Sequence, residues 1–150
     1  MSDTLAIPNP RTLLTADHER IEDQLDELKN AAEAGVDSRT LCEIWHRVEH
    51  GLLAHLRAEE DLLFPRFRAE HAGIWASLRF DHERIRSMLS EIGLQVELHV
   101  VHAHTLLEIV ALLRRHKETE DHTLHRWLEE IAHDPEGHRL VEQVEAAIEE

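Results

Sequence analysis

With 31 acidic against 16 basic side chains in 150 residues, the chain carries a formal charge of −15, which repels phosphate backbones and excludes nucleic acid as a partner. Its start lacks the basic and apolar regions of a secretory signal, its lone Cys42 closes no internal disulfide, and no apolar run approaches the roughly 20 residues that span a bilayer, so a cytoplasmic protein with no membrane partner is expected. Only five Gly and four Pro, no Tyr, and a 42% hydrophobic fraction dominated by Leu, Ile and Ala exclude a sheet-rich fold, and the length suits one domain over 1–150.

Asn9-Pro10 is a helix start, with Asn as N-cap and Pro in the first turn. Leu14, Ile21, Leu25 and Ala32 then share a face with His18 until Gly35, which predicts a first helix over about 10–34. Asp37 and Ser38 offer caps for a second helix, whose inward stripe reads Leu41, Ile44, Val48, Leu52, His55, Glu59 and Leu62 before Pro65 ends or kinks it. After the break at His71-Ala72-Gly73, the residues Trp75, Leu78, His82, Ile85, Leu89 and Ile92 define a third helix. Its end is expected between Gly93 and His102, where Gly93 is the only breaker. A fourth helix carries Thr105, Ile109, Leu112, His116, Glu120 and Trp127 until Asp134-Pro135-Glu136-Gly137 stops it, and Leu140, Val141, Val144 and Ile148 mark a short cap helix over about 136–149 beyond a bundle core of about 10–133. The chain midpoint between His18 and His55 falls in Gly35-Val36-Asp37-Ser38, and that between Glu59 and His82 falls beside Glu70 to Gly73. The predicted fold is therefore all-α, an up-down-up-down antiparallel four-helix bundle with a short C-terminal helix and its polar site toward one end.

The sequence also repeats itself. Asp17-His18-Glu19-Arg20-Ile21 recurs as Asp81-His82-Glu83-Arg84-Ile85, and each copy is followed by His-x3-Glu, first His55/Glu59 and then His116/Glu120. On a helix the two members of His-x3-Glu stand about 40° apart and one turn along, so both reach one site. A lone histidine on an apolar face is ordinarily a core residue bonded to backbone. Four of them at matching heights, with two carboxylates in an apolar interior where unpaired charge is costly, point instead to metal. Imidazole and carboxylate donors in a bundle interior suit a non-haem di-iron or di-manganese centre, iron preferred, and exclude thiolate-rich chemistry.

The pattern His18, His55-x3-Glu59, His82, His116-x3-Glu120, with Glu59-Glu60-Asp61-Leu62-Leu63-Phe64-Pro65 after the second histidine, resembles the hemerythrin-like HHE cation-binding domain family over about residues 12–130. The resemblance implies a four-helix bundle holding two iron ions with an oxo or hydroxo bridge, and a centre that meets dioxygen, peroxide or nitric oxide. By position the ligand roles fall to His18, His55, Glu59, His82, His116 and Glu120. Asp121 stays open as an alternative to Glu120, because His116-x4-Asp121 is the spacing of the oxygen carriers. Those carriers place two histidines four apart on the third helix, whereas here the positions four away from His82 are Leu78 and Arg86, so a fifth histidine is missing.

If both metals are six-coordinate, four imidazoles, two bridging carboxylates and one solvent-derived bridge leave an open position on each metal. That count favours redox handling of an oxidant, with an electron donor the sequence does not identify, over an oxygen- or iron-binding sensor, carrier or storage module. A helical interaction protein with a structural metal is the third class. Asp17 and Asp81 could each orient an imidazole or face solvent as ordinary helix-surface carboxylates. Glu22 is assigned to the surface or to a supporting role, since its duplicate position is Arg86. His46 and His125 lie nine residues from His55 and His116, about 180° around an unbroken helix, and are expected to face solvent. His50 and His122 are likewise turned away. His99, His102 and His104 belong to a distal turn, and Cys42 to the core or its boundary. Trp45, Trp75 and Trp127 read as core or cap aromatics, with Trp75 and Trp127 placed to limit access to the site.

Overall fold

The computed structural model describes residues 10–149, with side chains over 12–148. The elements are α1 (Pro10–Glu33), α2 (Ser38–Ala58), a π-helical turn (Glu59–Leu63), α3 (Phe64–Glu70), α4 (Ala72–Glu97), α5 (Ala103–His122), α6 (Leu124–Ile131) and α7 (Pro135–Glu149). No strand occurs among the described residues, and none of their helices is long and apolar enough to cross a membrane. The Asn9 cap lies outside the described residues.

The helix ends follow local chemistry. Asp37 caps α2 by accepting from the Thr40 N–H at 2.8 Å, and its carboxyl is held below the usual range by that bond. Gly35 sits at φ +69°, which lets the N–H groups of Gly35 and Val36 turn back onto the carbonyls of Ala32 and Ala31. His99 does the same after α4 at φ +59°, with the Val100 N–H on the Gln95 carbonyl at 2.9 Å. Gly93 is therefore not the breaker; it lies inside α4, against the Trp45 ring. The buried Gln95 side chain closes this turn by accepting from the His102 N–H and donating to Thr105.

Two expected helices turn out to be composite. Pro65 neither ends nor breaks the second helix, because the wider π turn just before it absorbs the missing N–H and the ring's clash with the preceding turn, and the chain continues as α3 to Glu70. The expected fourth helix is interrupted at Thr123, whose φ −128° and ψ −84° are not helical, and resumes as α6. Asp134 then caps α7 by accepting from the Gly137 N–H at 2.6 Å. A Cβ at Gly137 would land on the Ile131 carbonyl, so only glycine permits this close approach of α6 and α7.

Around the axis α1 packs on α2 and α5, and α4 packs on the same two, while α7 lies along α2 and α6. The interior holds two apolar clusters. One gathers Ile21, Leu52, Leu56, Ile85 and Leu113 with residues farther toward the 98–102 turn. The other gathers Leu14, Leu63, Leu78 and Leu124 with Phe67, Trp127 and the inner face of α7. Each long segment thus carries one apolar residue above and one below a polar layer, and the second cluster closes what would otherwise be an open end.

Candidate metal centre

The polar layer holds His18 from α1, His55 from α2, Glu59 from the π turn, His82 from α4, and His116 and Glu120 from α5, none of them more than 2% exposed. Donor atoms of Glu59, His82, His116 and Glu120 lie within 4.8 Å of one another, and so do those of His18, His55 and Glu120. The carboxylate oxygens divide the layer in two. Glu59 turns Oε1 to His82 Nε2 at 3.0 Å and Oε2 to His55 Nε2 at 3.4 Å. Glu120 turns Oε2 to His116 Nε2 at 3.0 Å and Oε1 to His18 Nε2 at 3.7 Å. Both carboxylates therefore span two adjoining places, one beside His18 and His55, the other beside His82 and His116. Of the two acidic candidates on α5, Glu120 faces the layer; Asp121 is 29% exposed and bonds elsewhere.

These atoms fit a metal because none of them makes a hydrogen bond within the protein. Nε2 of each of the four histidines and both oxygens of Glu59 and Glu120 are buried without a hydrogen bond. A buried polar atom left unpaired costs about 1–3 kcal/mol. Eight of them would rival a typical net stability of roughly 5–15 kcal/mol. Cations between the carboxylates remove that cost, and the donor set of imidazole and carboxylate, with Cys42 packed against the distal cluster, suits first-row divalent or trivalent metals.

The rings are held for that purpose by carboxylates behind them. His55 Nδ1 donates to Asp17 at 2.6 Å, His116 Nδ1 to Asp81 at 3.0 Å, and His82 Nδ1 to Glu60 at 2.7 Å. Donation from Nδ1 leaves the Nε2 lone pair directed at the layer. Arg86 grips Glu60 through both terminal nitrogens at 2.6 and 2.7 Å. Burial works against the Glu60 charge, but His82 and Arg86 outweigh it and bring its carboxyl down to about 2.

Before metal binds, protons are the cations this layer can recruit. Burial pushes the imidazoles down, yet Glu59 and Asp17 lift His55 to about 10, the Glu120, Glu59 and Glu60 carboxylates lift His82 to about 11, and Glu120 with Glu59 lifts His116 to about 9. Burial and the mutual repulsion of the two glutamates push Glu59 up, but His55 and His125 win and hold it low. Glu120 is held low against burial by His116 above all. His18 alone is lowered, by burial and by its neighbour His55.

One expectation fails outright. His125 does not face solvent; its ring is fully buried, with Nε2 at 3.6 Å from Glu120 Oε1 and 3.8 Å from Glu59 Oε2. A spacing of nine residues turns a side chain away from His116 only on an unbroken helix. The interruption at Thr123 resets the phase, and α6 delivers His125 inward. The signal in the sequence was the acidic pair repeated as Glu59-Glu60 and Glu120-Asp121, each second member of which holds an imidazole.

The other side residues fall into place with less consequence. His46, His50 and His122 are exposed, as are His99, His102 and His104, which form no cluster of three donors among the described residues. Glu22 pairs with Arg114 of α5 at 2.7 Å. Trp45 and Trp127 are core aromatics, the latter donating to Glu70 at 3.2 Å. Trp75 is half-buried under Arg68 on the wall of a cleft of about 450 Å³ that also touches Phe64, Glu60 and Arg86.

An all-helical bundle whose interior presents imidazole and carboxylate donors in two adjoining sets defines a metal-binding bundle protein of the histidine–carboxylate class. The Hemerythrin HHE cation binding domain matches residues 9–128, and the chain belongs to that family. No curated protein and no solved structure matches significantly.

Proposed function

We propose that the chain is a non-haem di-iron protein whose centre binds or reacts with dioxygen, peroxide or nitric oxide, iron being preferred over manganese. The observation that carries this reading is the buried layer of unpaired Nε2 and carboxylate oxygens, divided by Glu59 and Glu120 into two adjoining places. His18, His55, Glu59, His82, His116 and Glu120 would hold the metals, within four long segments that run up-down-up-down. Bound iron supplies the capacity to accept and donate electrons toward a small oxidant. The chain's own part would be to aim Nε2 of His55, His82 and His116 through Asp17, Glu60 and Asp81, to offer both oxygens of Glu59 and Glu120 to the metals, and to wall the layer from water with an apolar cluster on each side.

The absence of a second imidazole four residues from His82 favours redox handling of an oxidant. The buried ring of His125 provides a fifth imidazole from another direction, and this supports the second reading, reversible binding as a sensor or carrier. One experiment separates them. Protein purified from iron-supplied cells is reduced anaerobically, exposed to dioxygen while its absorption spectrum is followed, and then purged. Return of the reduced spectrum identifies reversible binding; a lasting change, with peroxide turnover lost in Glu59→Ala, identifies redox handling. Iron near two per chain that drops in both His55→Ala and His116→Ala supports the centre itself. Unchanged iron in both variants would sink it.

A further inference from the structure

We propose that His125 is a further metal ligand, on the side of His18 and His55, and that the side of His82 and His116, where Phe64 stands, is the one left open to an exogenous ligand. The inference rests on the dinuclear reading above and adds an asymmetry to it.

His125 shares three features with His55, His82 and His116. Its ring is buried completely and its Nε2 makes no hydrogen bond. Its Nδ1 is held by Asp121 at 2.8 Å, just as His55, His82 and His116 are held by Asp17, Glu60 and Asp81. A buried structural histidine would pair both ring nitrogens within the protein, one donating its N–H and the other accepting; here one nitrogen is fixed and the other is left facing the layer. The distances assign the side. His125 Nε2 approaches Glu120 Oε1 and Glu59 Oε2, the two oxygens that face His18 and His55, and not the pair that faces His82 and His116.

The internal duplication gives an independent argument. The step that carries His55 to His116, Glu59 to Glu120 and Glu60 to Asp121 carries Phe64 to His125. Both halves are irregular at this place, with the π turn before Phe64 and the interruption at Thr123 before His125. Phe64 is buried with its ring 5.0 Å from that of His82. One side of the layer thus receives three imidazoles. The other receives two and a phenyl ring, which cannot ligate, and the cleft lined by Phe64, Glu60 and Arg86 approaches from there.

The test uses the iron-loaded full chain, with azide as the exogenous probe and X-ray absorption to count imidazoles. Wild type should hold two irons, show five imidazoles over the pair rather than four, and take up a single azide. His125→Ala should show four imidazoles, lose iron to a chelator about 10- to 100-fold more readily, and regain resistance when free imidazole is added. Phe64→His, which places a ligand on the open side, should weaken azide binding at least tenfold while retaining iron. Wild type with two irons and only four imidazoles overturns the assignment even if His125→Ala fails to fold, as does a folded His125→Ala with unchanged chelator resistance and imidazole count. Azide uptake unaffected in an iron-retaining Phe64→His overturns the open side. Fewer than two irons in wild type would instead defeat the dinuclear reading.

Discussion

Asp17 and Asp81 open the two copies of the repeated pentapeptide, yet neither serves the histidine beside it. Each reaches across to the His-x3-Glu histidine of its own half, His55 and His116. The bond fixes the tautomer and aims Nε2, so its loss should be felt by the metal and not by the fold alone. Asp17→Ala and Asp81→Ala are each expected to weaken iron retention about 10- to 100-fold in chelator competition, whereas Glu83→Ala, an exposed partner of Arg79, should leave it unchanged. Equal retention in all three variants would show that these carboxylates do not position the rings. Residue types and spacing were enough to single out His18, His55, Glu59, His82, His116 and Glu120, which the fold gathers in one buried layer, and left Asp17 and Asp81 open between an imidazole and solvent. The roles of Glu60 and His125 carry only the faint signal of the repeated acidic pair, because Glu60 sits within the π turn and His125 follows the interruption at Thr123, where helical counting no longer gives the face.

Two turns far from the metal layer show how the same backbone demand is met well once and poorly once. Gly35 and His99 both occupy the left-handed region so that the last carbonyls of α1 and α4 can be satisfied. A side chain in that conformation costs roughly 1–2 kcal/mol, which glycine avoids. His99→Gly should therefore raise Tm by a few degrees, and Gly35→Ala should lower it by about as much, at the rough 2–4 °C per kcal/mol of chains this size. Iron content should not move in either, and a fall in Tm for His99→Gly would contradict the strain argument. The sequence placed the first turn on Gly35 and the third between Gly93 and His102, where it lies, but offered Gly93 as its only breaker. It did so because glycine is the usual residue at such a position, and nothing local marks a histidine that accepts it.

Across the whole molecule the metal layer is a liability when empty of cations and a stabiliser when loaded, and pH should expose the difference. In metal-free protein the raised imidazoles His55, His82 and His116 contribute stability that is full below about 6.5 and is lost as pH rises through about 9 to 11. Metal requires those nitrogens bare, so loading should release protons to an indicator dye near neutral pH, and the loaded protein should lack the alkaline loss. The Tm gap between loaded and metal-free protein is thus expected to widen from pH 7 to pH 10; a constant gap with no proton release would count against metal at these histidines. What the sequence determined by itself was whatever repeats within a continuous helix: the apolar stripes, the caps, and the duplicated His and His-x3-Glu that mark the layer. The hydrogen-bonded ladder fixes direction at about 100° per residue there, so a side chain's face follows from counting. Only the tertiary structure decided what lies beyond the π turn and the interruption at Thr123, where packing of α3, α6 and α7 around the second apolar cluster sets the phase afresh. That is why Pro65 lies within a continuing helix, why His125 points inward, and why the two sides of a duplicated site are unequal.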